Sequence, residues 1–458
     1  MLLGRVFERF AALAPVCVSA RAVLEAAFSA EALDRLFDQV AQRQYTRTLL
    51  FSTCVQLMTT VVCRVHRTIH AAYQASPAEI AVSLKALYDK LEHLEPNVSA
   101  ELVRHTARRL TSIIRQMKGE HPPLLPGYRV KILDGNHLGR SQRRLKILRD
   151  VAAGALPGQT LVVLDPQLRL AVDVVCCEDG HAQERSLLGS VVTQVEPADL
   201  WIADRNFCTT GFLFGVAQRG GCFLVRQHAS TLRWTRESRP RRVGRTETGE
   251  VYEQTLWLEN EAGDILPVRR ITLKLNRPTR DGDREIHLLT NLPVEASSAR
   301  RVAELYRERW SIEQLFQELT TILHCEVNTL AYPKAALFAF CVAVASGNVY
   351  ATVKASLGAV HGVDTVEQEV SDHYLGAEIS GKYEGMMIAI PERYWRPFRQ
   401  CSVRELAVLL RQLAGNAQLE RFRKHPRGPK KPKPRRTRFA KAKHVATARL
   451  LASEEKRE

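Results

Sequence analysis

The sequence predicts a mixed α/β protein in which helices flank a mixed sheet, an all-helical region precedes it and a β-rich insertion interrupts it. Three observations carry this. Residues 1 to about 120 show helix-period apolar patterns with capping signals. From His121-Pro122-Pro123 the pattern becomes strand, strand, strand, helix, strand, helix, strand, the order of a mixed sheet. From His228 to about Arg284 the composition shifts to Arg, Thr, Glu and Gly with alternating segments.

A chain of 458 residues can bury a large core divided among two to four domains. The net charge of +17 calls for a polyanionic partner, either nucleic acid or an anionic membrane surface. That charge is uneven: Arg421 to Lys443 holds twelve Lys or Arg and no acid, leaving about +5 for the rest. The ten cysteines show no C-x-x-C pair and no Cys/His metal spacing. They read as reduced thiols in the cytoplasm, which excludes a disulfide framework or a zinc site. Arg5, Glu8 and Arg9 ahead of the short apolar run Ala11–Val18 argue against a signal peptide. The longest apolar run, Ala335–Ala345, is too short to span a bilayer and reads as a buried helix, so no membrane is expected.

In chain order, Ser76-Pro77-Ala78-Glu79 combines an N-cap, Pro at the first helical position and a capping-box Glu. Ser99 opens a helix in which Leu102, Leu110, Ile113 and Ile114 interleave with Arg104, Arg108, Arg109 and Arg115. Such a basic amphipathic helix either lies on DNA or presents a solvated face. Tyr128–Leu133 reads as a strand ending in the turn signal Asp134-Gly135. Thr160–Leu164 and Leu168–Cys176 form a hairpin through Asp165-Pro166-Gln167. Ala182–Val195 is helical, Leu200–Ala203 is a strand ending at Asp204, Thr209–Gln218 is helical and Cys222–Arg226 is a strand. Tyr252–Leu258 and Val268–Leu275 are the strands of the insertion, and Glu285–Leu289 returns to the sheet. Ser402 to Glu405 opens a late helix with a capping box, and the Pro/Lys/Arg-rich tail beyond Arg421 has the composition of disorder. The expected division is a helical, DNA-end-binding region at 1–120, a first core part at 121–227, the insertion at 228–290, a second core part at 291–356, a helical region at 357–420 and a basic tail at 421–458 that would also bind DNA.

The segment Tyr306–Glu313 carries the chemistry. At about 100° per residue, Tyr306, Glu313 and Thr320 share a narrow helical stripe, with Arg309 and Gln317 beside it. Leu305, Ile312, Phe316, Leu319 and Leu323 form a separate apolar stripe. Taken alone, this reads first as a partly buried structural helix with an Arg309–Glu313 pair. Asp134 alone reads as a turn residue, and Asp204-Arg205 as a surface pair. Together, carboxylates from three separate elements are what a two-metal phosphodiester site requires, and Mg²⁺ suits such oxygen ligands. Arg205 could then contact a phosphate. Asp165, Asp173, Asp199, Glu304, Glu308 and Glu318 are the competing acids.

Leu133-Asp134-Gly135-Asn136, Ile202–Phe207 and Tyr306–Glu313 resemble the bacterial insertion-sequence DDE transposases. The subgroup is the one with a Tyr-x2-Arg-x3-Glu-x6-Lys signature and an RNase H-like catalytic domain. The resemblance covers about residues 125–350. It implies that Asp134, Asp204 and Glu313 are catalytic and bind two Mg²⁺ ions, with Mn²⁺ as a substitute. It further implies that Tyr306 and Arg309 contact DNA near the scissile phosphate, and that the β-rich insertion belongs to the subgroup. The implied activity is cut-and-paste transposition: cleavage at element ends, then transfer of the 3′-hydroxyl to target DNA. The partners would be element ends, target DNA and a second copy in a synaptic homodimer, in the bacterial cytoplasm with the nucleoid. Within the insertion, Trp257 and Trp234 could stack on a displaced base or pack in a core, and His137 could touch metal or DNA or be structural. One position departs: the signature lysine falls at Thr320, which can hydrogen-bond a phosphate but cannot neutralise it. Two alternatives stay open, a nuclease that hydrolyses without joining strands and a domesticated DNA-binding protein with a weakened site.

Overall fold

The computed structural model describes residues 4–455, apart from 45–47, 77–79, 140–144, 150–153, 229–231, 280–281, 328–329 and 426–443. The helical start comprises α1 (Arg5–Leu13), α2 (Pro15–Ala27), α3 (Ala30–Val40), α4 (Phe51–Val62), α5 (Ile69–Ala75), α6 (Leu84–His93) and α7 (Pro96–Met117). Ser29, Thr68 and Ser83 cap α3, α5 and α6 by accepting backbone N–H groups. The capping box expected at Ser76–Glu79 lies partly outside the described residues. α7 begins at Pro96, three residues ahead of Ser99, because Pro is well placed in a first helical turn.

The sheet region runs β1 (Arg129–Leu138), α8 (Lys146–Arg149), β2 (Gly154–Leu156), β3 (Gly158–Asp165), β4 (Leu170–Cys177), α9 (Leu188–Val192), β5 (Asp199–Ala203), α10 (Thr210–Gln218) and β6 (Cys222–Arg226). Short 3-10 turns, Glu184–Leu187 and Arg205–Phe207, precede α9 and follow β5. Then come β7 (Arg233–Glu237), β8 (Arg241–Thr246), β9 (Gly249–Glu259), β10 (Ile265–Leu275) and β11 (Glu285–Thr290). α11 (Ala299–Arg307), α12 (Trp310–Thr321), α13 (Pro333–His361), α14 (Val363–Glu369), α15 (Asp372–Ala389), α16 (Val403–Gly415), β12 (His444–Ala446) and α17 (Thr447–Glu455) complete the chain.

The strand order is β4-β3-β1-β5-β6-β11-β10-β9-β7, with β8 also on β9. β1 is antiparallel to β3 and parallel to β5, and β5 is parallel to β6. An antiparallel β4-β3-β1 half joined to a parallel β5-β6 half is the RNase H-like mixed sheet. The insertion extends this sheet: β11 pairs antiparallel with β6, and β10, β9 and β7 follow. Pairing β11 there covers what would otherwise be an open edge at β6.

Side chains alternate across the sheet with period two. Ile132, Leu200 and Ile202 join the helical core that runs from Phe7 to Phe422, whereas Leu133, Trp201 and Ala203 face α9 and α10 in a second core. The helical start thus shares one core with α13, α15, α16 and the sheet. α13, with 29 residues, is far longer than the run read from sequence. It is apolar and long enough to cross a membrane by length and composition, yet 83% of its most apolar window is buried inside the protein.

Further differences from the sequence reading concern the arginine helix and the tail. On α7, Arg104 pairs with Asp173 and Glu101, Arg108 pairs with Glu101, and Arg109 donates to the Cys401 carbonyl. Arg104 and Arg109 are thus tied into the body, while Arg108 and Arg115 keep more than half of their side chains exposed. Residues 444–455 are ordered, unlike the disorder expected for the whole tail. β12 pairs parallel with β2, and Arg449 bridges to Asp179 on the body. The central basic stretch, 426–443, lies outside the described residues.

Candidate active site

β1 does not stop at Asp134. Its parallel pairing with β5 ends at Leu133–Ala203, but its antiparallel pairing with β3 continues through Asp134–Val162 to Leu138–Gly158. Asp134 and Asp204 are the next residues after the last β1–β5 pair. They emerge side by side at the carboxyl ends of two parallel strands, where α/β sheets commonly bind ligands. Alternation puts both on the face of Ile132 and Ile202, the face that α11 and α12 cover. Asp204 also caps the following 3-10 turn, accepting the Asn206 N–H at 2.7 Å.

The expected single helix is two. Glu308 and Arg309 form a tight turn between α11 and α12, with Arg309 N–H bonded to the Tyr306 carbonyl (3.2 Å) and Ile312 N–H to that of Arg309 (3.3 Å). These i→i+3 bonds tighten the chain locally, so the stripe drawn for a uniform helix is rotated at this point. Leu305, Ile312, Leu319 and Leu323 are nevertheless buried as expected, with Phe316 partly so. Glu313 lies in the first turn of α12.

Arg309 ties this turn to β1. Its guanidinium donates to Asp134 Oδ2 at 3.1 Å and to Glu313 Oε1 at 2.7 Å. The Tyr306 hydroxyl lies close enough to feel the Arg309 charge. Burial works against the Arg309 charge, but Tyr306, Glu313 and Asp134 outweigh it and hold its pKa above the ordinary value. Burial pushes the Asp134 carboxyl up to about 6; Arg309 and the Gly135 N–H pull it down, while Asp204 and Glu184 push it up. Burial, opposed by Arg309 and reinforced by Asp204, pushes the Tyr306 hydroxyl up to about 12, so it stays a neutral donor at ordinary pH. Asp134, Asp204, Glu313, Tyr306 and Arg309 therefore form one electrostatic unit.

Among the described residues, no three His, Cys, Asp or Glu side chains stand close enough to hold a metal ion as they lie. The donor set still suits a hard cation, since it consists of carboxylate oxygens from separate elements. The Arg309 guanidinium lies between Asp134 and Glu313 and is bonded to both. A divalent ion would compete with it for the same oxygens.

The competing acids are engaged elsewhere. Asp165 caps the hairpin turn through the N–H groups of Gln167 and Leu168, and Asp199 is fully buried between Arg129 and Lys131. Asp173 pairs with Arg104, and Glu304 with Arg300 and Arg301. Glu318 faces a cavity of about 490 Å³ shared with Lys354 and Asp372, and burial pushes its carboxyl up to about 8. Glu308 sits in the turn itself.

Arg205 is exposed in the turn that follows Asp204. Trp257 is not brought to the carboxylates: it lies on β9, four strands from β5, roughly 19 Å along the sheet. The Arg236 guanidinium covers one of its faces at 3.7 Å. Trp234, on the edge strand β7, is 37% exposed. Thr320 is exposed and bonds back to the Phe316 carbonyl, and Arg64 donates to the carbonyls of Thr320 and Leu323.

Sequence reasoning missed Glu184. It opens the turn before α9, and its carboxylate lies 4.0 Å from His137 Nε2 and accepts from Asn206 Nδ2. The only signal for it was an acid at the start of an expected helix, which marks a helix N-terminus equally well.

Residues 157–345 match the Transposase DDE domain family. That segment contains Asp204, Tyr306, Arg309 and Glu313 and begins after Asp134. The chain is similar to transposase InsL of insertion sequence element IS186A from Escherichia coli K12 and to the transposase of insertion sequence element IS421 from Escherichia coli. Each is 26% identical over 233 residues, 43% of this chain and 62% of the relative. The chain therefore spans less than two thirds of the length of these relatives. A solved piggyBac transposase synaptic complex with hairpin DNA aligns over 86% of both chains at 11% identity with a TM-score of 0.37, too loose a likeness to bear an argument.

Proposed function

Taking residues 157–345 as a DDE transposase domain of the insertion-sequence kind, we propose that the chain cleaves DNA at the ends of a mobile element and joins the freed 3′-hydroxyl to target DNA. Asp134, Asp204 and Glu313 would hold two divalent ions, Mg²⁺ or Mn²⁺. Such ions activate the attacking oxygen and stabilise the leaving oxygen of an in-line displacement. The observation that carries this reading is the emergence of Asp134 and Asp204 as neighbours past the last β1–β5 pair, with Glu313 linked to Asp134 through Arg309.

The protein's own groups have distinct tasks in this reading. Arg309, freed from one carboxylate, would place its planar fork on a DNA phosphate, and Tyr306 would donate a hydrogen bond from its neutral hydroxyl. Arg205 would add a phosphate contact beside Asp204. Trp257 would need Arg236 to move before a base could stack on its covered face. No covalent protein–DNA bond is required. Two copies would hold the paired ends, and the cytoplasm is the compartment this function needs.

The test uses the full chain with paired element-end DNA, target DNA and Mg²⁺. Asp204→Ala and Glu313→Ala should each reduce end cleavage by about 10²–10³-fold or more, the scale expected when transition-state charge loses a stabilising group. Cleavage equal to the parent would overturn the triad. Free 3′-hydroxyl ends without joined product would identify a nuclease, and binding without cleavage by the parent would identify a DNA-binding protein with a weakened site.

A further inference from the structure

The helix that carries Glu313 is closed at its far end by a residue from the helical start. Arg64 Nη2 donates to the carbonyls of Thr320 (3.2 Å) and Leu323 (3.3 Å). Beside it, the His324 N–H donates at 2.7 Å to the carbonyl of Val62, the last residue of α4. A guanidinium on the free carbonyls of a helix end is a favourable cap. Two features exceed what a cap needs.

The first is the backbone. Arg64 follows the C-cap of α4 with a φ of 63°. Its N–H bonds to the Val61 carbonyl at 3.1 Å, and the Val65 N–H bonds to the Thr60 carbonyl at 2.9 Å. This is the left-handed helix ending in which glycine is the unstrained choice. An arginine here strains the backbone, and its side chain has to offset that.

The second is the charge. Nη2 makes both bonds, so three of the five N–H donors, one on Nε and two on Nη1, have no partner among the described residues. No acid among those residues pairs with the guanidinium, which is exposed. From Gln39 to Ala78 the sequence holds four arginines and no acid, and Arg67 is exposed as well. Thr320, the residue of the Glu313 stripe at this point, is uncharged, and its hydroxyl is turned back to the Phe316 carbonyl. It lies seven residues beyond Glu313, roughly 10 Å along α12.

We propose that Arg64 binds a DNA phosphate at the C-terminal end of α12, supplying from the helical start the positive charge that Thr320 lacks. The proposal rests on the DNA-transposase reading of the chain. The two carbonyls hold the guanidinium in place, so its remaining donors are ordered before DNA arrives and less side-chain freedom is lost on binding. A phosphate held there, on the same helix as Glu313, sets the register of the DNA against the carboxylates.

The experiment measures binding of the full chain to a duplex carrying the element end, in EDTA, over a range of salt concentrations. The proteins are the parent, Arg64→Gly and the double variant Arg64→Gly/Thr320→Lys. Glycine suits the left-handed backbone, so the circular dichroism spectrum should be unaltered. Each phosphate contact contributes about 0.9 to the slope of log K against log salt, a quantity that a helix cap does not touch. Arg64→Gly should lower that slope by about 0.9, and Thr320→Lys should restore it. A parent-like slope in Arg64→Gly overturns the proposal and leaves Arg64 as a cap. A lowered slope that Thr320→Lys fails to restore overturns the placement of the phosphate beside Thr320. A parent that binds the end duplex no more tightly than a scrambled one, and cleaves neither in Mg²⁺, overturns the transposase reading instead.

Discussion

At the scale of single residues, the site is governed by how few cations face how many acids. Asp134 shows the consequence. Its carboxyl is held at about 6, against an ordinary value of 3.8, chiefly because burial penalises the charge. The folded protein therefore binds that proton more tightly than the unfolded chain. Protonation stabilises the fold fully below about 3.8, and this contribution is lost as pH rises through about 6. At pH 8 the ionised carboxylate costs up to ~3 kcal/mol, even with Arg309 alongside. Asp134→Asn should therefore raise the melting temperature in EDTA by a few degrees at pH 8, with the gain fading by pH 4. An equal change at both pH values in calorimetry would show that the charge is not responsible. The same residue shows what sequence reading could not resolve. Asp134-Gly135 has the residue types of a turn, but a strand with two neighbours ends separately against each, and only the β5 side ends here. Glu184 was hidden for a related reason. Its partners lie 49 residues upstream at Gly135 and 22 downstream at Asn206, and no local period connects them.

At the scale of elements, strands were more legible than helix boundaries. The apolar run Leu200–Ala203 and the Asp165-Pro166-Gln167 signal place β5 and the β3–β4 hairpin to within a residue or two, because a strand buried against a core on each face reads as a continuous apolar run. The break between α11 and α12 has no Gly or Pro to announce it; tertiary bonds from Arg309 to β1 hold it instead. The arginines of α7 were ambiguous because pattern alone cannot distinguish a DNA-facing cation from one paired to β4. One element contact makes a sharp prediction. Asn348 on α13 is buried, and its side chain acts as a strand partner for β4: Oδ1 accepts from the Ala171 N–H and Nδ2 donates to the Ala171 carbonyl, each at 2.8 Å. A β-bulge beside Ala171 shifts the β3–β4 register there. Asn348→Leu would leave a buried donor and acceptor unsatisfied, at about 1–3 kcal/mol apiece. Urea unfolding should show a loss of about 2–5 kcal/mol. A loss under 1 kcal/mol would mean that Ala171 finds other partners.

At the scale of the whole molecule, the helical start is part of the body that positions the site. α7 lies on β4 and against α13, and Phe7 in α1 packs edge-on to Trp395 at 4.9 Å, so the first helix and the segment between α15 and α16 close over one core. The expected boundary near residue 120 marks a change of pattern from helix to strand, which sequence shows well. It does not mark a break in packing, which depends on contacts hundreds of residues apart. This makes cooperativity the decisive observable. Trp395 is buried in the helical core against Phe7 of α1, and Trp201 is buried on the opposite face of the sheet. Two variants of the full chain, each keeping one of these tryptophans and replacing the others with Phe, separate the two layers by fluorescence. If the helices and sheet form one cooperative unit, both probes and far-ultraviolet circular dichroism should unfold in urea with one midpoint. A Trp395 transition at clearly lower urea would show that the helical layer melts from a sheet able to stand alone. The coincident result carries a consequence for the site: any substitution that loosens the α7–β4–α13 packing should also loosen the register that sets Asp134 beside Asp204.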